Sequence, residues 1–181
     1  MKTLLITAGV NGTNIINDTA LKAFEDADMV SLDVPRNLSE EIKGYDLVII
    51  GIDFIAPFKN FRDLVPAGTI PEGKLIVLTT RPFKFEGENR VAIANTGILE
   101  ATKMADLVLV QNNEVLLSTP PFNEEDALAG LSNVPLRDSF KAIVENLDIT
   151  KSIDEAEVKA VLNQKWLENG LIEAYANNFD L

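Results

Sequence analysis

Gly9-Val10-Asn11-Gly12-Thr13-Asn14 stands between an apolar run and an amphipathic helical pattern. At such a place glycines let the backbone approach a ligand closely. The start of the following helix also offers N–H groups without intrahelical partners, so the turn could cradle a phosphate or a nucleotide. The same residues satisfy a purely structural role, in which Gly9 and Gly12 shape a tight strand-to-helix turn and Thr13 or Asn14 caps the helix. Two glycines leave both readings open. The chain contains neither Cys nor His. That excludes disulfides, thiol catalysis, thiolate metal sites and imidazole bases or ligands. Any general base must be a carboxylate, a lysine or a tyrosine, and no metal centre is expected.

Strand-like runs alternating with amphipathic helical patterns must position these residues, which argues for an α/β fold with a mainly parallel sheet. The expected strands are Leu4 to Ala8, Met29 to Val34, Asp46 to Gly51, Leu75 to Thr79 and Leu107 to Val110. Leu47-Val48-Ile49-Ile50 has the continuous apolar character of a central parallel strand. The expected helices are Asn14 to Ala27, a short one over Leu38 to Lys43, Arg90 to Lys103, and Leu136 to Leu147 behind Pro135. Pro120 and Pro121 mark a loop. From Asp154 to about Tyr175 the apolar residues Leu162, Trp166, Leu167, Leu171, Ile172 and Tyr175 fall mostly three or four apart, which predicts a last helical region packed on the sheet with Trp166 buried. The tail Asn177 to Leu181 is expected to fray.

At 181 residues, 46% hydrophobic and 24% charged, the chain suits one domain. The core is expected over 1–148, with a C-terminal helical segment over 149–181. The 28 acidic and 16 basic residues give a net charge of −12, which repels phosphate backbones and anionic lipid, so neither nucleic acid nor membrane is an expected partner. No apolar run approaches the roughly 18 residues of a membrane span and no leader pattern opens the chain, so a cytoplasmic location is expected.

The stretch Leu75 to Leu117 contains the run Arg81-Pro82-Phe83-Lys84-Phe85-Glu86-Gly87-Glu88-Asn89-Arg90, then a helical segment, then a strand ending at Asn113-Glu114. It resembles the FtsZ branch of the FtsZ/tubulin family, in which R/K-P-F-x-F-E-G-x-x-R leads through a helix to an I-P-N-D/E-x-L loop. Arg90, Gly97, Asp106 and Asn113 keep the family register without a gap. The resemblance implies a Rossmann-like, mainly parallel sheet with helices on both faces, of the type of the FtsZ/tubulin N-terminal domain, here without the family's activation domain. It also implies a GTP or GDP site. Gly9, Gly12 and Asn14 match the first glycine-rich loop, and Glu86 and Arg90 match residues that hold the nucleotide near ribose and phosphates. Asn113 matches the loop asparagine, and Phe140 the aromatic that stacks on guanine. Ser152 to Val161 resembles the loop by which one subunit offers two carboxylates to a water at its neighbour's nucleotide, with Asp154 and Glu157 in those positions.

Each match has a structural alternative. Glu86 and Arg90 could form a loop-closing ion pair or supply helix-start charges. Phe140 and Val144 could be core residues one helical turn apart, and Ser152 with Glu155 spells a capping box. The departures from the family are specific. Where G-G-G-T-G-T-G should wrap the phosphates, the chain reads Gly51-Ile52-Asp53-Phe54-Ile55-Ala56-Pro57-Phe58-Lys59. That run cannot form a nest of N–H groups, because Ile and Phe resist positive φ and Pro57 has no N–H, and Asp53 would repel phosphate. The G-A-G-x-x-P loop has no room between Val34 and Asp46. Val144 stands where the family places the aspartate that accepts from guanine. The helix before Asp154 is about a dozen residues, or about 18 Å, shorter than in the family. The expectation is an FtsZ/tubulin-like protein with a degenerate nucleotide site and an assembly or regulatory role in a cell-division or cytoskeletal system, partnered by an FtsZ-like protein or by itself, and not an active GTPase. The alternatives are a GTP-binding protein or slow GTPase with a remodelled phosphate loop, and a Rossmann-like domain that binds another small molecule.

Overall fold

The computed structural model describes residues 1–69, 71–119 and 133–176. Pro120, Pro121 and the tail 177–181 lie outside the described residues. The sheet is built from β1 (Thr3–Ala8), β2 (Asp28–Leu32), β3 (Leu47–Ile52), β4 (Lys74–Arg81), β5 (Leu107–Asn112) and β6 (Ile172–Ala176). Its spatial order is β2-β1-β3-β4-β5-β6; the first five strands are parallel, and β6 runs antiparallel to β5. The helices are α1 (Gly9–Thr19), α2 (Glu88–Met104), α3 (Asn113–Leu116), α4 (Val134–Asn146), α5 (Glu155–Val161) and α6 (Gln164–Glu168).

Helices cover both faces, so the central strands are apolar over most of their length on both sides and split by residue parity. Leu4, Val48, Val77 and Val108 face a layer containing Phe54, Phe61, Ala94 and Ile98. Leu5, Ile49, Ile76 and Leu109 face the opposite layer, with Ile15 and Ile16 of α1 and Phe140 and Ile143 of α4. The strand order reverses direction between β1 and β3, and in open sheets of this kind ligands are taken at the carboxyl ends beside that reversal.

Several expected elements differ. The first helix begins at Gly9 rather than Asn14, because Gly9 takes φ +74° and turns the chain from strand into helix without a loop. It ends at Thr19 rather than Ala27. Leu38 to Lys43 forms no helix; Ile42 N–H donates to the Leu38 carbonyl at 3.1 Å within a run of turns. The largest change is at the C-terminus, where the helical region expected from Asp154 to Tyr175 is two short helices and a strand. Gly170 at φ +77° lies just beyond α6, and the edge of β5 has backbone groups that a strand satisfies and a helix does not. Trp166 is half-buried against the layer of α4 rather than fully buried. The cap before α5 also differs: the Asp154 carboxylate accepts from Ala156 N–H at 2.7 Å, so the N-cap residue is Asp154 and not Ser152.

Across the sheet, Arg81 at the end of β4 grips Glu173 of β6 with Nε 2.6 Å from Oε2 and Nη2 3.1 Å from Oε1. The Tyr175 hydroxyl donates to the same carboxylate at 2.6 Å. Burial works against the Arg81 charge, but the bonds and attraction of Glu173 outweigh it and hold the pKa above its ordinary value.

Candidate functional site

The glycines of the first turn are occupied by protein. A Cβ at Gly12 would stand 2.4 Å from the Gly51 carbonyl oxygen, and one at Gly51 only 2.7 Å from the Gly12 oxygen. Gly12 is therefore where α1 lies directly on β3, backbone to backbone. At Gly9 a Cβ would be 3.2 Å from Cε2 of Phe58, so that ring rests where a ligand would approach the Gly9 backbone.

The loop after β3 reaches back across the strand ends because Phe54 buries its ring on α2. It does so at Gly97, where a Cβ would come within 2.2 Å of Phe54 Cδ1. This docking brings Asp53 to Arg90 in the first turn of α2, with Arg90 Nη2 donating to Asp53 Oδ1 at 2.5 Å and Arg90 Nη1 to the Phe54 carbonyl at 2.5 Å. Asn11 Nδ2 donates to the other Asp53 oxygen at 2.7 Å. The two charged side chains are only 8% and 10% exposed. Glu86 Oε1 is 3.8 Å from Arg90 Nε, while Glu86 Oε2 accepts from Phe83 N–H at 2.7 Å and closes the turn before α2. Arg90 Nε is itself buried and has no hydrogen-bond partner among the described residues.

Beside this cluster a cavity of about 290 Å³ is lined by Asn11, Asn14, Thr80, Glu86, Arg90 and Asn113, with Phe83 and Phe85 also on its wall. The Phe83 and Phe85 rings stack at 4.8 Å and 11°, and Phe85 is 66% exposed. Asn113 is fixed by Gln111 Nε2, which donates to its Oδ1 at 2.9 Å. Gln111 Oε1 in turn accepts from Leu136 N–H at the start of α4.

Four of the residues singled out from sequence, Asn14, Glu86, Arg90 and Asn113, thus meet at one cavity. Phe140 does not join them: it is fully buried, its ring 6.3 Å from that of Phe24. Asp154 and Glu157 line a separate cavity of about 160 Å³ under Ile143 and Leu147. Three larger cavities, of about 630, 580 and 360 Å³, share no residue with the Arg90 cluster; the first opens among Lys74, Lys103 and Asp106, the second among Lys22, Arg137 and Lys141, the third among Lys159, Leu167 and Tyr175. Sequence reasoning did not place Asn11, Asp53 and Thr80 at the site. The available signal was Asp53, a lone charge inside the apolar run Gly51 to Ala56, which had to find a partner.

No family model matches the chain. An alignment of 93 positions that covers 48% of the chain is 31% identical to the cell division protein FtsZ of Buchnera aphidicola from Acyrthosiphon pisum, and equally to that from Schizaphis graminum. The matched part covers 23% of each relative. Among solved structures, an empty FtsZ dimer from M. jannaschii superposes with a TM-score of 0.58 at 22% identity, over 88% of this chain and 59% of that one. A single-substitution mutant of the same protein gives the same TM-score and identity, with 61% of it covered. The chain therefore spans about three fifths of the length of these structures. Its fold is FtsZ/tubulin-like, a mostly parallel six-stranded sheet with helices that matches the FtsZ N-terminal Rossmann-like domain. No helix among the described residues is long and apolar enough to cross a membrane.

Proposed function

We propose that this FtsZ/tubulin-like chain has a degenerate nucleotide site and acts by assembly or regulation in a cell-division or cytoskeletal system, and not by turning over GTP. The observation that carries this reading is the Asp53 carboxylate on Arg90: the cation best placed to hold a phosphate is met by the chain's own anion. The Phe58 ring against Gly9 and the lack of a glycine nest over Gly51 to Lys59 point the same way. Val10, Ile55 and Phe85, on the segments that follow β1, β3 and β4, are 79%, 39% and 66% exposed. Apolar side chains so placed favour contact with a protein partner, a second copy or an FtsZ-like protein, over contact with phosphates. A single domain of this kind working in the cytoplasm is part of the same proposal.

The second reading, a GTP- or GDP-binding protein or slow GTPase with a remodelled phosphate loop, draws on the meeting of Asn14, Glu86, Arg90 and Asn113 at one cavity. In that case Asp154 and Glu157 would serve a neighbouring subunit. Phosphate release with GTP and Mg²⁺ at high protein concentration separates the two readings. Background turnover, unchanged in Asp154→Ala, is expected; protein-dependent turnover lost in that variant would overturn the first reading in favour of the second.

A further inference from the structure

The sheet ends at β2, and that edge is open. Among the described strands β2 pairs with β1 alone, and no backbone bond outside that ladder joins residues 28 to 34 to the described chain. In a parallel ladder alternate residues turn their N–H and C=O away from the neighbouring strand. The outer side of β2 is therefore a row of donors and acceptors that an added strand would satisfy. Little covers it: Asp28, Met29 and Ser31 are exposed, Met29 at 45%, and Val34 just beyond the strand is 64% exposed.

The charges along this edge have one sign. Glu25, Asp26, Asp28 and Asp33 are exposed at the two ends of the strand, and no Lys or Arg occurs from Ala23 to Pro35. None of the four forms an ion pair with a described residue. Asp28 accepts from the Tyr45 hydroxyl at 2.8 Å, an uncharged partner that leaves its charge in place. Paired strands lie about 4.8 Å apart, well inside the roughly 10 Å over which salt leaves charges unscreened. Two copies of β2 laid edge to edge would set their carboxylates against each other, on chains that each carry a net charge of −12. The same field draws in a basic strand. Alternation along β2 sets the rest of the pattern. Val30 and Leu32 face the layer of Phe54, and Met29 faces the other side of the sheet. An added strand therefore covers Met29 with its apolar residues and brings its cations to the side of Asp28.

We propose that the outer edge of β2 is a docking site for a basic, extended segment of another protein, taken up as an added strand. The proposal goes beyond the degenerate-site reading and stands whether or not that reading holds. Calorimetric titration of the whole chain at about 50 mM salt compares peptides of about eight residues. One alternates Lys and Val, one alternates Glu and Val, and the third is the Lys–Val peptide methylated at every backbone nitrogen, which keeps its charge and loses its donors. The Lys–Val peptide binds with a Kd below about 1 mM, and the other two bind at least about tenfold more weakly. Its binding slows amide hydrogen exchange over Asp28 to Leu32, and Asp26→Asn/Asp33→Asn weakens it about fivefold or more. Equal binding by the methylated peptide marks attraction by charge alone and overturns the proposal. So do equal binding by the Glu–Val peptide, no binding by the Lys–Val peptide, protection that spares β2, and unaltered affinity in the double variant. A concentration-dependent dimer of the chain alone, with the β2 amides protected in it, assigns the edge to a second copy and overturns the proposal as well. If the double variant fails to fold, the peptide comparison and the exchange pattern decide.

Discussion

Gly12→Ala separates a glycine kept for a ligand from one kept for helix-on-strand contact. The added methyl would lie 2.4 Å from the Gly51 carbonyl oxygen, roughly 1 Å inside an ordinary carbon–oxygen contact. The obstacle is backbone on both sides, because Gly51 in turn abuts the Gly12 oxygen and the Ile16 side chain. The Gly12 and Gly51 backbones cannot move by changing rotamer, and α1 must lift from β3 in the middle of the sheet. Overpacking of this kind costs about 1 to 3 kcal/mol, and rigid neighbours place this case at the upper end. Alanine in place of a helical glycine returns about 1 kcal/mol. The net loss is about 2 kcal/mol, which for a chain of this size lowers Tm by about 4 to 8 °C. Thermal denaturation followed by circular dichroism, with and without GDP, is the assay. A Tm within about 2 °C of wild type, together with loss of nucleotide binding, would refute the contact role and assign Gly12 to a ligand.

Asp53→Ala leaves Arg90 buried with Glu86 at 3.8 Å as its one charged partner among the described residues, so urea denaturation should show a loss of about 3 kcal/mol; a loss below about 1 kcal/mol would mean the pair is not formed. In Asp53→Ala/Arg90→Met part of that loss, at least about 1 kcal/mol, should return, because no unpaired charge remains buried. Trp166→Ala should cost about 2 kcal/mol, less than the roughly 3 to 5 kcal/mol of a fully buried aromatic, since its ring is half-buried; self-association that collapses while stability holds would make the segment an interface. Burial and then Glu173 raise the Tyr175 pKa, so the folded state keeps its proton longer than the unfolded state. That contribution is complete below the ordinary tyrosine value near 10 and is lost as pH climbs through and beyond it. Stability should therefore decline at alkaline pH, less steeply in Tyr175→Phe; the Tyr45 phenol, raised by its hydrogen bond to Asp28, keeps some of the slope in that variant.

The sequence by itself determined the five parallel strands and the family likeness of the fold. Runs such as Leu47 to Ile50 are apolar at every position and read as central strands covered on both faces, which is what they form. The register from Arg81 to Asn113 carried Glu86, Arg90 and Asn113 to the strand ends where they meet. Both are local signals, fixed by side-chain type and short spacing. What only the tertiary structure decided depends on partners distant in the chain. Leu171 to Tyr175 has spacing compatible with a helix, yet it pairs as a strand because β5 offers an open edge more than fifty residues upstream. Gly9 and Gly12 read equally as a phosphate turn or as close packing, and only the fold sets Phe58 and Gly51, about forty to fifty residues away, against them. Asp53 reads in sequence as a charge that repels phosphate. Folded, it is the anion on Arg90, because Phe54 buried against Gly97 sets the loop on α2 and a buried guanidinium takes the nearest carboxylate.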